Sequence, residues 1–355
     1  MANLMDLSRQ DELAKFASQY LPESMSINGD ELPVPMPGDA GFRRYFRWSS
    51  CPEVLGVDAP PESEDSLSFV RVASLLRELG IGSPRVYAAN LQQGLLVVEN
   101  LGEQSYQEAL TADSAEVLYQ SALDSLLKMQ AFADRPPWLA LYDEALLRQE
   151  MSLFVTWFLH ELLGYEPSQS EDQLINDAFD FLIDSALSQP HVLTHRDYHC
   201  RNLIFRESRS PGVIDFQDAV WGPVTYDLVS LMRDCYLRWQ PQTLERQLES
   251  YLQRLVKAEV VKESELTSLR TGFDAMGLQR HIKVLGIFSR LWLRDGKQDY
   301  LADIPLVLRY VMEEVNALPK VQEFAKWMES NLIPLVEKQG WYKDWRTAGD
   351  DKTIW

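Results

Sequence analysis

The chain has 355 residues, 46% of them apolar and 25% charged, which suffices for a soluble protein of two lobes with a sizeable core. A formal net charge of -19 argues against nucleic acid and anionic membrane surfaces as partners, because their phosphates would be repelled. It favours cationic small molecules, but only as a bulk tendency. Three scattered cysteines without C-x-x-C spacing, Cys51, Cys200 and Cys235, argue against a disulfide framework and for a reducing compartment.

The first residues lack the basic start and apolar core of a signal peptide, and the most apolar stretch, residues 151–159, is too short to cross a bilayer. The expectation is a cytoplasmic protein with no membrane role; protein partners are left open.

Residues 6–18 carry a short helical pattern, and a Pro- and Gly-rich passage then leads to Pro37-Gly-Asp-Ala-Gly41. Gly38 and Gly41 would let backbone N–H groups approach a phosphate; the plainer reading is a chain reversal. Over residues 42–48 a period of two predicts a strand with Phe42, Arg44, Phe46 and Trp48 on one face and Arg43, Tyr45 and Arg47 on the other. Residues 54–57 form the next strand. Residues 66–79 predict an amphipathic helix, with Ser66 as N-cap and Gly80 closing it. Residues 85–89 and 95–98 predict a hairpin, and its second strand runs into Glu99-Asn-Leu-Gly102. From there the pattern is mainly helical, over 114–132 and 143–163.

The helices are interrupted by Leu193-Thr-His-Arg-Asp-Tyr-His-Cys-Arg-Asn202, then an apolar run to Phe205, a polar stretch, and Val213-Ile-Asp-Phe216. His195, Arg196 and Asp197 followed by Asn202 fill every defined position of the kinase catalytic-loop template. The apolar runs on either side of Pro211-Gly212 predict a β-hairpin that returns Asp215 beside Asn202. Phosphoryl transfer needs an Asp to orient the acceptor hydroxyl and oxygen ligands for a metal, so Asp197 fits the first role, and Asn202 and Asp215 fit Mg²⁺. A lone Asp or Asn in such a loop is usually a turn former; three at this spacing are read as functional. His195, Arg196 and Asp227 are expected to brace the loop. A zinc site from His191, His195 and His199 is rejected, because Pro190 and the Val-Leu-Thr run predict a short strand rather than one helical face. Helical patterns resume at 226–236, 244–258, 263–295 in pieces, and 304–318. The fold class expected is α+β and kinase-like, with a small mixed N-lobe over 1–102 and a larger helical C-lobe over 103–355.

Nearly end to end, the chain resembles the aminoglycoside phosphotransferase and choline kinase superfamily, small-molecule kinases with the protein-kinase-like fold. Gly38-Asp-Ala-Gly-Phe-Arg-Arg-Tyr-Phe-Arg47, Val57-Asp-Ala-Pro-Pro61, the segment at Glu99 and Gln279-Arg-His-Ile-Lys-Val-Leu-Gly-Ile-Phe288 resemble a narrower family. Its members are the bacterial anomeric kinases of N-acetylmuramate and N-acetylglucosamine in cell-wall recycling. The resemblance implies transfer of the ATP γ-phosphoryl group to the C1 hydroxyl of an amino sugar, feeding salvage toward UDP-N-acetylmuramate. It also implies Mg²⁺ on Asn202 and Asp215, an adenine hinge at Glu99, Asn100 and Leu101, and phosphates under Gly38 and Gly41.

The third strand carries no lysine for the α- and β-phosphates, so Arg43, Arg44 or Arg47 must supply that charge, with Arg44 slightly preferred and Arg43 equally permitted by the alternation. Its acidic partner is open among Glu62, Glu64 and Glu78. Gln217, where protein kinases place glycine, suggests no activation-loop switch. Glu150, Trp157, Arg290 and Arg294 are uncommitted candidates for sugar contact, each more commonly a core or surface helix residue. The competing readings are a kinase of another acceptor (an aminoglycoside, choline or homoserine) and a nucleotide-binding pseudokinase.

Overall fold

Short runs of β-branched and aromatic residues separated by turns build a five-stranded antiparallel sheet in order β1-β2-β3-β5-β4. The strands are β1 (Val34–Pro35), β2 (Arg44–Arg47), β3 (Val54–Asp58), β4 (Val86–Asn90) and β5 (Leu95–Glu99), with α1 (Ala2–Tyr20) before them and α2 (Ser66–Glu78) between β3 and β4. This computed structural model describes residues 2–21, 25–28, 31–37, 42–207 and 210–354, so Gly38 and Gly41 lie outside the described residues. The chain divides into two compact units, residues 1–108 with 201–219, and residues 109–200 with 220–355.

In the first unit, Leu13, Phe16 and Ala17 of α1 pack with Phe46, Trp48, Cys51, Val54, Leu95 and Val97 into one buried cluster. Gly56 of β3 is required there, because a Cβ would sit 2.6 Å from the Trp48 ring. The anticipated alternation holds at Phe46 and Trp48, which are buried, but Phe42 is 69% exposed and precedes the strand. Helix α2 is capped one residue earlier than expected: Asp65, not Ser66, accepts the Leu67 and Ser68 N–H groups. Asp58 at the end of β3 is buried and holds both Arg44, at 2.6 Å, and Arg9 of α1.

The second unit is mainly helical: the end of α3 (Tyr106–Ala109), then α4 (Ala115–Gln130), α5 (Glu144–Leu153) and α6 (Gln169–Leu187), and after a break α7 (Tyr226–Met232), α8 (Pro241–Lys257), α9 (Leu266–Asp295) and α10 (Asp299–Ala317). The expected helix over 143–163 is α5 continued by a π-helical segment, Phe154–Leu162. The widened turns begin where Gly286 of α9 approaches the Leu153 backbone so closely that a Cβ would lie 2.3 Å from its carbonyl carbon. Rather than pieces, α9 is one 30-residue helix, buried over most of its circumference. Within it, His281 Nδ1 meets Glu314 at 2.9 Å and its Nε2 meets the Arg233 carbonyl at 3.0 Å, so a doubly protonated ring satisfies both acceptors. Burial opposes that charge, the Glu314 carboxylate outweighs it, and the His281 pKa rises to about 9. No helix among the described residues is long and apolar enough to cross a membrane.

Candidate active site

The candidate residues lie on two segments, one in each unit. In the first unit, β7 (Leu203–Ile204) and β8 (Gly212–Val213) pair antiparallel, Leu203 opposite Val213, as the sequence pattern predicts. The Ile214 N–H donates to the Asn202 carbonyl at 3.1 Å, and the Val213 and Phe205 N–H groups donate to Gly82 and Gln104 at 2.7 and 2.8 Å. These backbone bonds group the hairpin with the first unit, although the sequence reading had put it in the second lobe. The turn brings the Asn202 amide 3.4 Å from the Asp215 carboxylate, whose other oxygen accepts from Gln217 at 2.9 Å. Asp215 has φ +62°, a left-handed backbone that a non-glycine residue holds only at some cost, and its side chain is exposed. Phe216 beside it is buried, its ring 4.9 Å from that of Phe69.

Arg43 and Arg44 take different work. Arg44 is committed to buried Asp58, whereas Arg43 pairs with Glu64 at 3.0 Å and lies over the Phe69 ring. Of the three acidic partners left open by the sequence, Glu64 is the one that meets an arginine of this pair. Burial pushes the Tyr45 hydroxyl up to about 12; the Arg43 charge pulls the other way, and Asp215 and Glu64 add to the rise, which puts all three charges within reach of one hydroxyl. At the end of β5, the Glu99 carboxylate is held by Arg77 and by the Arg85 N–H at 3.0 Å, and Asn100 bonds Pro52 and Glu53. Those side chains fix the connector, and Leu101 packs against Gly212.

In the second unit, β6 (His191–Thr194) pairs antiparallel with β9 (Val220–Pro223) and delivers His195, Arg196 and Asp197 at its end. His191 is therefore on a strand, and the three histidines share no helical face. Asp227, in the first turn of α7, accepts the His195 and Arg196 N–H groups at 2.6 and 3.0 Å. Burial raises its pKa to about 7, against the pull of those two bonds. His195 Nδ1 receives the Asp197 N–H at 3.2 Å, and Cys200 is anchored through its N–H to Asp234. The bracing roles read for His195, Arg196 and Asp227 correspond to these contacts.

Arg196 has φ +77° and sends its guanidinium to Glu150, over the Tyr142 ring. Glu150 also accepts from the Tyr142 hydroxyl and from Lys283 of α9 at 3.0 Å, and Lys283 in turn meets the Tyr226 hydroxyl at 3.1 Å. Burial opposes ionisation of Glu150, but Lys283 and Arg196 overcome it and its pKa is lowered. Asp197 follows the same pattern: burial works to raise its pKa, and the charges of Lys283, His199, Arg280 and Arg196 hold it below the ordinary value. The carboxylate at the template position is thus kept ionised by a cationic wall.

Glu150, left uncommitted by the sequence as a sugar contact, is engaged by three side chains, Tyr142, Arg196 and Lys283, and ties the loop to α5 and α9. Arg294 is exposed and pairs with its neighbour Asp295, and Trp157 and Arg290 are half-buried. Lys283 and Arg280 were missed. Both lie within the stretch that carried the family resemblance, and a charged pair three residues apart in an otherwise apolar helix was the available signal.

A small antiparallel sheet unit with the Asn–Asp hairpin and a helical unit with the H-R-D loop define the protein-kinase-like class. The model of the phosphotransferase enzyme family matches residues 34–261, and the chain belongs to that family. It is 39% identical to the N-acetylmuramate/N-acetylglucosamine kinase of Pseudomonas aeruginosa, over 92% of this chain and 98% of that one. With the enzyme of the same name from Pseudomonas putida it is 40% identical, covering 81% and 85%. Among solved structures, choline kinase from Cryptosporidium parvum matches with TM-score 0.59 and 12% identity, covering 90% and 99% of the two chains. The ADP-bound aminoglycoside phosphotransferase APH(2'')-Ib matches with TM-score 0.53 and 16% identity, covering 85% and 98%. At those identities the structural likeness speaks for the fold alone.

Proposed function

We propose that this chain transfers the γ-phosphoryl group of ATP to the anomeric C1 hydroxyl of N-acetylmuramate and N-acetylglucosamine, with Mg²⁺ as the divalent ion. The observation that carries the acceptor is the near full-length likeness to kinases named for these two sugars. The chemistry is supported by Asp197, whose carboxylate is held ionised and so accepts a hydrogen bond from the C1 hydroxyl, orients it, and receives its proton as the C1 oxygen bonds phosphorus and the bond to ADP breaks.

An exposed carboxylate and one amide suit Mg²⁺, which takes one or two protein oxygens and keeps water and phosphate for the rest. Asp215 and Asn202 would hold the ion, which when bound neutralises charge on the phosphates. Arg43, on the side of Tyr45 and Asp215, is the better replacement for the absent third-strand lysine than Arg44, which Asp58 retains. The backbone of Glu99, Asn100 and Leu101 would meet the adenine edge, and Gly38 and Gly41 would cover the phosphates.

A cationic acceptor such as choline or an aminoglycoside is disfavoured by the cations Arg196, Lys283 and Arg280 acting on Asp197. The test is to incubate the protein with Mg-ATP and N-acetylmuramate, N-acetylglucosamine, choline or kanamycin, and to record the ³¹P spectrum of each product. A doublet from phosphate on C1 of the sugars is expected; phosphate on C3, C4 or C6, or turnover confined to the cationic acceptors, overturns the assignment.

A further inference from the structure

At the catalytic loop of the second unit stand three cations, buried Lys283 and Arg280 and half-buried Arg196, and two of them share one carboxylate. Arg196 and Lys283 both meet Glu150. The third, Arg280, lies on the same face of α9, three residues before Lys283, and is 4% exposed. Its hydrogen bond goes to the Cys235 sulfur at 3.3 Å, and among the described residues no carboxylate forms an ion pair with it. A guanidinium has five donors and stays charged at any pH a protein survives, while a thiol is a weak acceptor. Burying such a group with no carboxylate in direct contact is costly, and an anion that reaches its remaining donors offsets part of that cost.

The place of arrival is defined by Asp197. Arg280 is near enough for its charge and that of Asp197 to act on each other, with Tyr226 in the same neighbourhood. An acceptor whose C1 hydroxyl reaches Asp197 brings its other ring substituents past this wall. The two sugars of the proposed function differ in one respect: N-acetylmuramate carries a lactyl ether on C3, ending in a carboxylate, and N-acetylglucosamine does not. Lys283 is already engaged by Glu150 and the Tyr226 hydroxyl; Arg280 has donors to give.

We propose that Arg280 is the specificity determinant for the anionic acceptor, holding the lactyl carboxylate of N-acetylmuramate through charge-assisted hydrogen bonds. This rests on the acceptor reading given above. It also accounts for a site that takes a charged and a neutral sugar: the neutral one binds without the Arg280 contribution.

The experiment compares kcat/KM for the two sugars in wild type, Arg280→Gln and Arg280→Lys, and for N-acetylmuramate methyl ester in each. Arg280→Gln is expected to lower the N-acetylmuramate to N-acetylglucosamine ratio by roughly tenfold or more, chiefly through KM, with Arg280→Lys recovering part of it. Wild type should treat the methyl ester as the Gln variant treats the acid. An unchanged ratio, or an equal loss for both sugars, overturns the proposal and leaves Arg280 acting on Asp197 or on the transferred group. If the Gln variant does not fold, wild type decides alone, since equal kcat/KM for acid and ester rejects a carboxylate contact. Wild type inert toward both sugars brings down the acceptor reading, and this inference with it.

Discussion

The hairpin that carries Asn202 and Asp215 and the loop that carries Asp197 solve different problems. The hairpin is fixed by backbone hydrogen bonds to Gly82 and Gln104, and its Asp215 carboxylate, the proposed metal ligand, is exposed, with one amide at 3.4 Å and one at 2.9 Å. The loop is fixed by buried charge: Asp227 beneath its N–H groups, Arg196 locked to Glu150, and cations of α9 behind Asp197. A metal ligand has to exchange water and phosphate, so light anchoring and an open face serve it. A general base has to start deprotonated, and the low-dielectric surroundings make nearby positive charge effective at keeping it so until the substrate proton arrives.

Asp197→Asn should produce the largest effect, a fall in kcat of roughly 10²- to 10⁴-fold, with the melting temperature nearly unchanged and ATP still bound. Retained turnover would break the contrast at its catalytic end. Asp215→Asn is expected to cost on the order of 10²-fold at fixed Mg²⁺ and to be partly recovered by raising the metal concentration, again with little change in melting. A titration of rate against Mg²⁺ that superposes on wild type would remove Asp215 from the metal site.

Glu150→Gln tests the buried side of the comparison, because it removes the carboxylate that Arg196 and Lys283 share. A destabilisation of about 3 kcal/mol, read by urea unfolding, is expected together with lost activity. His281 offers a pH handle in the same unit. Its pKa in the folded chain, about 9, lies above the ordinary 6.5, so the stabilisation it brings is complete below pH 6.5 and is lost as pH rises through 9. His281→Gln should flatten that alkaline decline in melting temperature; an unaltered profile would assign the decline elsewhere. Smallest of all, Arg44→Ala should cost about 0.5 kcal/mol, since the arginine is 43% exposed and Asp58 keeps Arg9. Arg43→Ala should instead raise KM for ATP, and the reverse pattern would restore Arg44 to the phosphates.

Much of this was legible because template spacing and strand alternation are local signals. His195, Arg196, Asp197, Asn202 and Asp215 lie within 21 consecutive positions, and the hairpin between them follows from two apolar runs around a Pro-Gly turn. Helix α9 was harder to read. A helix buried nearly all round has no polar stripe, so periodicity breaks it into pieces, and its Arg280 and Lys283 look like interruptions rather than functional groups. Helix α6 escaped notice although its start was written in the sequence: Ser168 and Glu171 form a capping box ahead of Ile175, Ala178, Phe179, Leu182 and Ile183 at helical spacing. Glu150 stayed unassigned for another reason. Its partners come from positions 142, 196 and 283, and no local pattern announces a meeting of segments so far apart.

The Asp58 clamp has a practical consequence for anyone preparing this protein. Arg9 reaches it from α1, the same helix that inserts Leu13, Phe16 and Ala17 into the sheet's apolar cluster. Trimming the first twenty residues to obtain a tidier expression clone would uncover greasy surface and strip a salt-bridge arm in one cut, so shortened clones are expected to precipitate while extensions upstream of the helix are tolerated.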